Sequence, residues 1–306
     1  MSSTNQEVTK VLIPAAGRGT RFLPFTKSVP KELAPIVTTP ALELVVAEAA
    51  ANGLADVLLV LSQGKGAIAD YFAQNKALEK ILQDKGDITG LTSVRRSSNL
   101  ARIHHVEQME PRGLGDAVAH GEQFAAGGPL AVFLPDDLVD DRDSVVGPML
   151  DAYAKYGGIV LALIDVPRSE ISKYGCVAPA ERSDLGGDVI AVADLVEKPP
   201  AEVAPSTLAI MGRYILPPEI FDALRRTRPG AGGEIQLTDA MRRVARQGVP
   251  IHGVIFRGRR YDTGDRLDYV KAVVQLAGRH PEIGPAFNAW LREYVVSSLI
   301  EPADAR

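Results

Sequence analysis

Short apolar runs recur through the first half of this chain at intervals that an α/β architecture accommodates. Lys10 to Pro14 (KVLIP), Val57 to Leu61 (VLLVL) and Leu130 to Leu134 (LAVFL) are short and bounded by turn residues, so they read as buried strands. Ile103 to Gln108 is strand-like as well. Between these runs lie segments of helical pattern: Pro40 to Asn52, stopped by Gly53, then Gly66 to Gln83, then Gly115 to Phe124. Strands alternating with helices imply parallel βαβ units with helices on both faces of the sheet. Ligands of such sheets sit at the carboxyl ends of strands. The loops after Pro14 and Leu134 are therefore the places to search for chemistry.

Beyond Tyr156 the pattern is mixed. Gly158 to Ile164, Cys176 to Ala178, Val189 to Val196, Leu208 to Leu216 and Ile251 to Phe256 read as strands. Pro218 to Arg226, Gln236 to Gln247, Arg266 to Leu276 and Pro285 to Val295 read as helices. No internal repeat or low-complexity linker interrupts the chain. The expectation is one catalytic domain over 1–306, with a helical C-terminal extension from about 265 to 306.

Composition excludes several function classes. The single cysteine, Cys176, leaves no internal disulfide and no cysteine-based zinc site. A net charge of −4 argues against nonspecific nucleic-acid binding. No apolar run reaches the roughly 18 to 20 residues that span a bilayer. Met1 to Lys10 lacks the basic flank and apolar stretch of a signal peptide, so the chain reads as cytoplasmic, with no membrane partner. The five histidines show no ligand spacing. Trp290 and the methionines read as packing, Cys176 as inert packing, and Asp140, Asp141 and Asp143 as solvated loop or helix-start charges.

Against this slightly acidic background, Arg18, Arg21, Lys27 and Lys31 fall within fourteen residues with no carboxylate between them. They lie in and after Ala15-Ala16-Gly17-Arg18-Gly19-Thr20-Arg21, a glycine loop that directly follows a strand. Glycines there let backbone N–H groups approach an anion, and Arg21 and Lys31 can neutralise a polyphosphate. A lone G-x-G is equally a plain turn, and a basic cluster can be a solvated loop. A dinucleotide fingerprint is excluded, because position 22 is Phe and Pro24 and Pro30 forbid the long helix it should open.

Three further segments carry polar groups at strand ends. Gln108 to Ala117 (QMEPRGLGDA) offers an amide suited to the mixed donor and acceptor edge of a base, although strand, turn and helix cap would explain it too. Asp136 and Asp137 end an apolar strand, and Asp262 lies far along the chain in Tyr261-Asp262-Thr263-Gly264-Asp265. Mg2+ commonly uses one or two carboxylates plus substrate phosphates, yet an Asp pair is also a frequent turn or cap. In Val196-Glu197-Lys198-Pro199, adjacent strand residues point to opposite faces unless a bend intervenes. A surface ion pair is the plain alternative.

PAAGRGTRFLPFTKSVPKELAPI closely resembles the signature of the sugar nucleotidyltransferases, and within them the bacterial UTP–glucose-1-phosphate uridylyltransferases. The Q-x-x-P-x-G-L-G-D-A stretch, K-Y-G-x-V at Lys173 to Val177, V-E-K-P, Met211-Gly212-Arg213-Tyr214 and Gly232 to Asp239 continue the resemblance, in the family's order, over roughly Val11 to Ala272. It implies a Rossmann-like, GT-A-type three-layer α/β/α fold with a mostly parallel mixed sheet. It also implies that Ala15, Ala16, Gly17, Gln108 and Gly113 meet the nucleotide, with Arg21 and Lys31 on its phosphates and Lys27 a weaker candidate. Lys198 would hold the sugar's phosphate; Asp137, Gly175, Glu197 and Gly212 would face the sugar. Gln236 to Asp239 would organise the pocket. Asp136 would bind Mg2+, with Asp262 a second or water-mediated ligand.

The chain departs from the family at Val37-Thr38-Thr39, where relatives often carry an acidic-basic pair before the proline, and at Asp268, where many carry Gly. The reaction implied is UTP plus glucose-1-phosphate giving UDP-glucose and pyrophosphate, in a homo-oligomer (dimer or tetramer). A thymidylyltransferase is the near alternative, since one ring methyl is worth only about 1–3 kcal/mol of discrimination. A metal-dependent glycosyltransferase and a noncatalytic sensor are the rivals from other classes.

Overall fold

The apolar runs form the middle of a sheet because they alone can be covered on both faces. The computed structural model describes residues 5–300; 1–4, the start of the polar N-terminal segment, and 301–306, the end of the expected extension, lie outside the described residues. The chain opens with β1 (Lys10–Pro14), and the basic loop then turns through three short 3₁₀ segments, consistent with its prolines. A small ladder of β2 (Pro35–Ile36) and β3 (Thr39–Pro40) leads into α1 (Ala41–Ala51) and β4 (Asp56–Leu61).

The single helix expected over 66–83 is two, α2 (Gly66–Phe72) and α3 (Lys76–Asp84). The side chain of Asn75 accepts from the Leu78 amide and starts the second one, as an N-cap does. A helix that the sequence pattern left unread, α4 (Ile88–Asn99), follows, capped by Asp87. Next come β5 (Arg102–Glu107) and another divided helix, α5 (Leu114–Ala119) and α6 (Glu122–Ala125). The break falls at Gly121, where a Cβ would stand 2.6 Å from Leu12 Cδ1.

The chain continues through β6 (Leu130–Phe133), β7 (Asp137–Val139), α7 (Val146–Tyr156), β8 (Ile159–Asp165), β9 (Gly175–Asp184), β10 (Val189–Glu197) and β11 (Leu208–Leu216). It ends with α8 (Glu219–Arg226), α9 (Leu237–Ala245), β12 (Ile251–Ile255), β13 (Arg260–Asp262), α10 (Arg266–Ala277) and α11 (Gly284–Ile300). The strand expected at 176–178 runs to ten residues, because β9 pairs with β10 in a long bulged hairpin.

Nine strands make one mixed sheet in the order β5-β4-β1-β6-β11-β8-β12-β10-β9. β5, β4, β1 and β6 are mutually parallel; only β11 and β10 run against the other seven. Alternate residues of each strand face opposite cores, as a period of two requires. Val11 and Ile13 pack under α1 and α7, whereas Leu12 packs with α5, α8 and α9. Four parallel strands therefore end along one edge, and the loops after Leu61, Pro14 and Phe133 stand side by side. A separate ladder, β7 with β13, places Asp262 opposite Asp137.

Two expectations are corrected outside that edge. Asp140 is buried, gripped by Arg142 (Oδ1 to Nε, 2.7 Å) and by Arg279 (Oδ2 to Nη2, 3.1 Å), and Asp143 is paired with Arg259 at 2.9 Å. These charges pin the 140–143 turn to the strand and helix of the C-terminal segment and are not free solvated charges. Trp290 and Met109 lie outside the core, 53% and 73% exposed, whereas Met149, Met211 and Met241 are buried as expected. Trp290 stacks on Tyr294 along its own helix, ring centroids 5.3 Å apart. Cys176 is buried, as expected. Among the described residues no helix is long and apolar enough to cross a membrane.

The Asp140 cluster has a pH signature. Hydrogen bonding from Arg142 holds its carboxyl well below the usual range, against the opposing effect of burial and with help from Arg279. The folded pKa lies below the unfolded one, so this stabilisation is present above about pH 4 and is lost as the pH falls further. Asp140→Asn should cost about 2 kcal/mol at neutral pH. In thermal melts across pH, the gap between variant and parent should close below about pH 4.

Candidate functional site

The chemistry gathers where β1 and β6 end. After β6 the chain turns at Leu134 and Pro135 and presents Asp136; after β1 it presents the glycine loop and, further on, Lys31. Lys31 Nζ lies 2.5 Å from Asp136 Oδ2. Burial resists ionisation of Asp136, but the Lys31 ammonium and then Arg21 overcome it, and the carboxyl is held below its ordinary range. Arg21 reaches across to the 262–265 turn, its Nη1 donating to the Gly264 carbonyl at 3.0 Å. Thr263 ties that turn to Asp136, its amide donating to the Asp136 carbonyl at 2.7 Å.

Asp136 and Asp262 converge above Gly264. A Cβ on that glycine would stand 2.7 Å from Asp136 Oδ2 and 3.0 Å from Asp262 Oδ1. The missing side chain leaves the space that two carboxylates and a small cation require. Burial, and then the charge of Asp136, push the Asp262 carboxyl up. Two mutually repelling carboxylates with room between them suit a divalent cation that takes its remaining oxygens from water and phosphate. Among the described residues no cluster of three or more His, Cys, Asp or Glu could hold a metal alone. A cation here would draw its other ligands from water or substrate.

Asp137 points elsewhere. Its Oδ2 accepts from the Gly212 amide at 2.8 Å and from Arg260 Nη2 at 3.0 Å, while Oδ1 is bonded by Arg260 Nε. Gly212 must be glycine, because a Cβ would lie 2.7 Å from Leu134 Cβ. Arg260, which the sequence reading passed over, also lies 5.6 Å from the ring centroid of Tyr174. It thereby links the aspartate pair to the segment carrying Gly175.

The bend required between Glu197 and Lys198 exists. Lys198 has φ +43°, a conformation rare outside glycine. This turn brings Lys198 Nζ to 3.7 Å from Glu197 Oε1, with both groups accessible. Glu197 Oε2 accepts from Thr238 Oγ1 at 2.7 Å and lies 3.3 Å from where a Gly175 Cβ would stand. Strain of this kind persists where surrounding structure enforces it. The Lys198 amide donates to the Tyr174 carbonyl at 3.1 Å, and that bond helps to fix the turn.

Gln108 ends β5 at the same edge, two strands from β1. It is buried, and its Nε2 donates to Asp116 Oδ2 at 2.6 Å. Arg112 bonds the other Asp116 oxygen at 2.8 Å. Gly113, at φ +103°, sits where a Cβ would stand 2.9 Å from the Ile235 carbonyl oxygen, and the Ile235 amide, donating to the Arg112 carbonyl at 2.7 Å, ties this segment to the 234–235 turn. Ala15 and Ala16 are buried, while Gly17 has open space around it and Lys27 stands exposed. The structure thus joins Arg21, Lys31, Asp136 and Asp262 in one group and Gly175, Glu197 and Lys198 in another, with Asp137, Gly212 and Arg260 between them.

A wider cavity of about 730 Å³ lies between α1, β7 and α10 and contains none of these residues. Opposite charges converge instead in the smaller cleft lined by Arg21, Lys31, Asp136 and Gly264.

The sequence profile of the nucleotidyl transferase family matches residues 10–278. The UTP–glucose-1-phosphate uridylyltransferase of Staphylococcus epidermidis is 40% identical over 288 residues, covering 94% of this chain and 99% of its own. Among solved structures, a UTP-bound UGPase from Acinetobacter baumannii superposes with a TM-score of 0.85 at 35% identity, covering 94% of this chain and 99% of that one. A UDP-glucose pyrophosphorylase complexed with UDP-glucose superposes with a TM-score of 0.80 at 37% identity, covering 89% of this chain and 100% of that one.

The Gly264 cradle makes a direct expectation. Gly264→Ala should part Asp136 from Asp262 and weaken Mn2+ binding by at least about tenfold in calorimetry, with the fold retained. Unchanged Mn2+ affinity would separate these carboxylates from cation binding.

Proposed function

This chain belongs to the nucleotidyl transferase family, and we propose that it is a UTP–glucose-1-phosphate uridylyltransferase that makes UDP-glucose and pyrophosphate. The observation that carries this reading is the convergence of Lys31, Arg21, Asp136 and Asp262 at one strand edge, with Glu197 and Lys198 facing in from a second segment. Near-full-length similarity to relatives of that activity supports the same reaction. In this reading residues 1–306 act as one Rossmann-like, GT-A-type catalytic domain with a C-terminal helical extension, in a cytoplasmic homo-oligomer.

The reaction brings two anions together. An ionised phosphate oxygen of glucose-1-phosphate attacks the α-phosphorus of UTP, the bond from that phosphorus to the bridging oxygen breaks, and pyrophosphate leaves in line. The nucleophile is already deprotonated at neutral pH, so no side chain has to act as base. Catalysis is then positioning and charge stabilisation. Ala15, Ala16, Gly17, Gln108 and Gly113 would hold uridine. Arg21 and Lys31 would take the triphosphate and Lys198 the incoming phosphate. Glu197, fixed by Thr238, would accept from sugar hydroxyls beside Gly175 and Gly212, and Asp137 would brace that side through Arg260.

Asp136 and Asp262 fit Mg2+, and bound there it supplies positive charge to the phosphate oxygens. The Lys31–Asp136 bond then marks the resting arrangement: with substrate present, Lys31 would turn to phosphate and Asp136 to the cation. Neither group remains unpaired in either arrangement, as low-dielectric sites require.

A pyrophosphate-release assay over a matrix of nucleoside triphosphates and sugar-1-phosphates tests the reading. UTP with glucose-1-phosphate should give the highest kcat/KM, and greater release with dTTP would reassign the nucleotide. Lys198→Ala should raise the KM for glucose-1-phosphate by at least about tenfold and leave the KM for UTP nearly unchanged; equal rises would contradict its assignment. Asp136→Asn should sharply reduce turnover at every Mg2+ concentration, and undiminished rates at low Mg2+ would remove its role.

A further inference from the structure

Lys65 lies in the loop after β4, between the strand ends that carry Gln108 and Ala15, and it is only 9% exposed. An ammonium has three N–H donors and no acceptor. Here all three are used: Nζ bonds the Ala15 carbonyl at 2.7 Å, Glu32 Oε1 at 2.9 Å and Glu32 Oε2 at 2.8 Å. Glu32 is itself buried, its side chain 1% exposed, and is the neighbour of Lys31 in the chain.

We propose that Lys65 is a positioning residue for the nucleotide: it locks the loop backbone at Ala15 to the segment that carries Lys31, and so sets the spacing between the base-binding and phosphate-binding parts of the site. The inference rests on the uridylyltransferase reading for the identity of that nucleotide.

Donor count assigns the role. With no N–H left over, Lys65 does not bond a substrate directly and acts through the groups it holds. Ala15 is fixed at both polar atoms, its amide donating to the Val60 carbonyl at 2.8 Å and its carbonyl accepting from Lys65. The open space at Gly17, two residues on, is thereby anchored at its start. Lys65 also neutralises Glu32. A buried, unpaired Glu32 beside Lys31 would draw that ammonium away from Asp136 and repel incoming phosphates. Burial lowers the Lys65 pKa while Glu32 opposes the fall, as expected for a charge kept inside by its partner.

A buried ion pair is often replaceable by apolar residues of similar volume without loss of stability, and this separates positioning from folding. Lys65→Met strands Glu32 and should lower stability as well as nucleotide binding. In the double variant Lys65→Met with Glu32→Leu no charge is stranded, so the melting temperature should return to near the parent's. The Ala15 carbonyl still lacks its donor there, and the KM for UTP should stay raised by at least about tenfold, with the KM for glucose-1-phosphate changed less than about twofold.

Recovery of the UTP KM together with stability would overturn the inference, as would a double variant whose two KM values rise together. A double variant that does not fold would also overturn it, because the pair would then be structural first. Failure of the parent to release pyrophosphate from UTP and glucose-1-phosphate would instead sink the functional reading itself.

Discussion

The site depends on holding like charges close together without letting them escape into water. Asp136, Asp137 and Asp262 lie within a few residues of one another in space, and each has a dedicated counterweight. Lys31 sits on Asp136, Arg260 grips Asp137, and the Gly264 amide bonds Asp262 Oδ1 at 2.9 Å. The fully buried Arg213 secures the turn itself. It donates to the carbonyls of Leu134, Gly212 and Asp137 and pairs with Glu48 Oε2 on α1 at 2.6 Å. The cost of burying a charge explains this density of partners: each carboxylate stays inside only because another group bonds it.

The sheet supplies the geometry. Four parallel strands set their carboxyl ends in a row, and the segments that follow them carry Gln108, Lys65, the Ala15 backbone and Asp136. β11 and β10 run against that direction, and the antiparallel hairpin of β9 and β10 brings Gly175 opposite Glu197. In the proposed reading the nucleotide side is thus built from parallel strand ends, and the sugar side from a hairpin and its strained exit at Lys198. Arg260, between Asp137 and Tyr174, joins the two halves.

Strands and their order of use were legible in the sequence because apolar runs have few alternatives once both faces must be buried; β1 and β11 match their expected bounds. Helices were read less well where a local cap overrode periodicity, as at Asn75, or where close packing demanded a glycine, as at Gly121. The candidate acids and bases were visible as residue types at strand ends. Their pairing was not, because Lys31 and Asp136 are 105 positions apart and Arg260 and Asp137 are 123. Asp140 misled in part for the same reason: Arg279, 139 positions away, joins the neighbouring Arg142 in turning a surface-looking acid into a buried one. Arg260 and Thr238 sat beside or within segments already singled out, so their position alone could have flagged them. Lys65 carried no sequence signal beyond being a lysine in a glycine-flanked loop, and only its three bonds give it away.

Everything rests on a nucleotide whose phosphates meet fixed cations at the edge where β1 and β6 end. A crystal structure of this protein with UTP and Mg2+ tests that most directly. The triphosphate should lie in hydrogen-bonding reach of Arg21 and Lys31, with Asp136 released from Lys31 and turned to the cation. A triphosphate lying away from Arg21, Lys31 and Asp136 would contradict it.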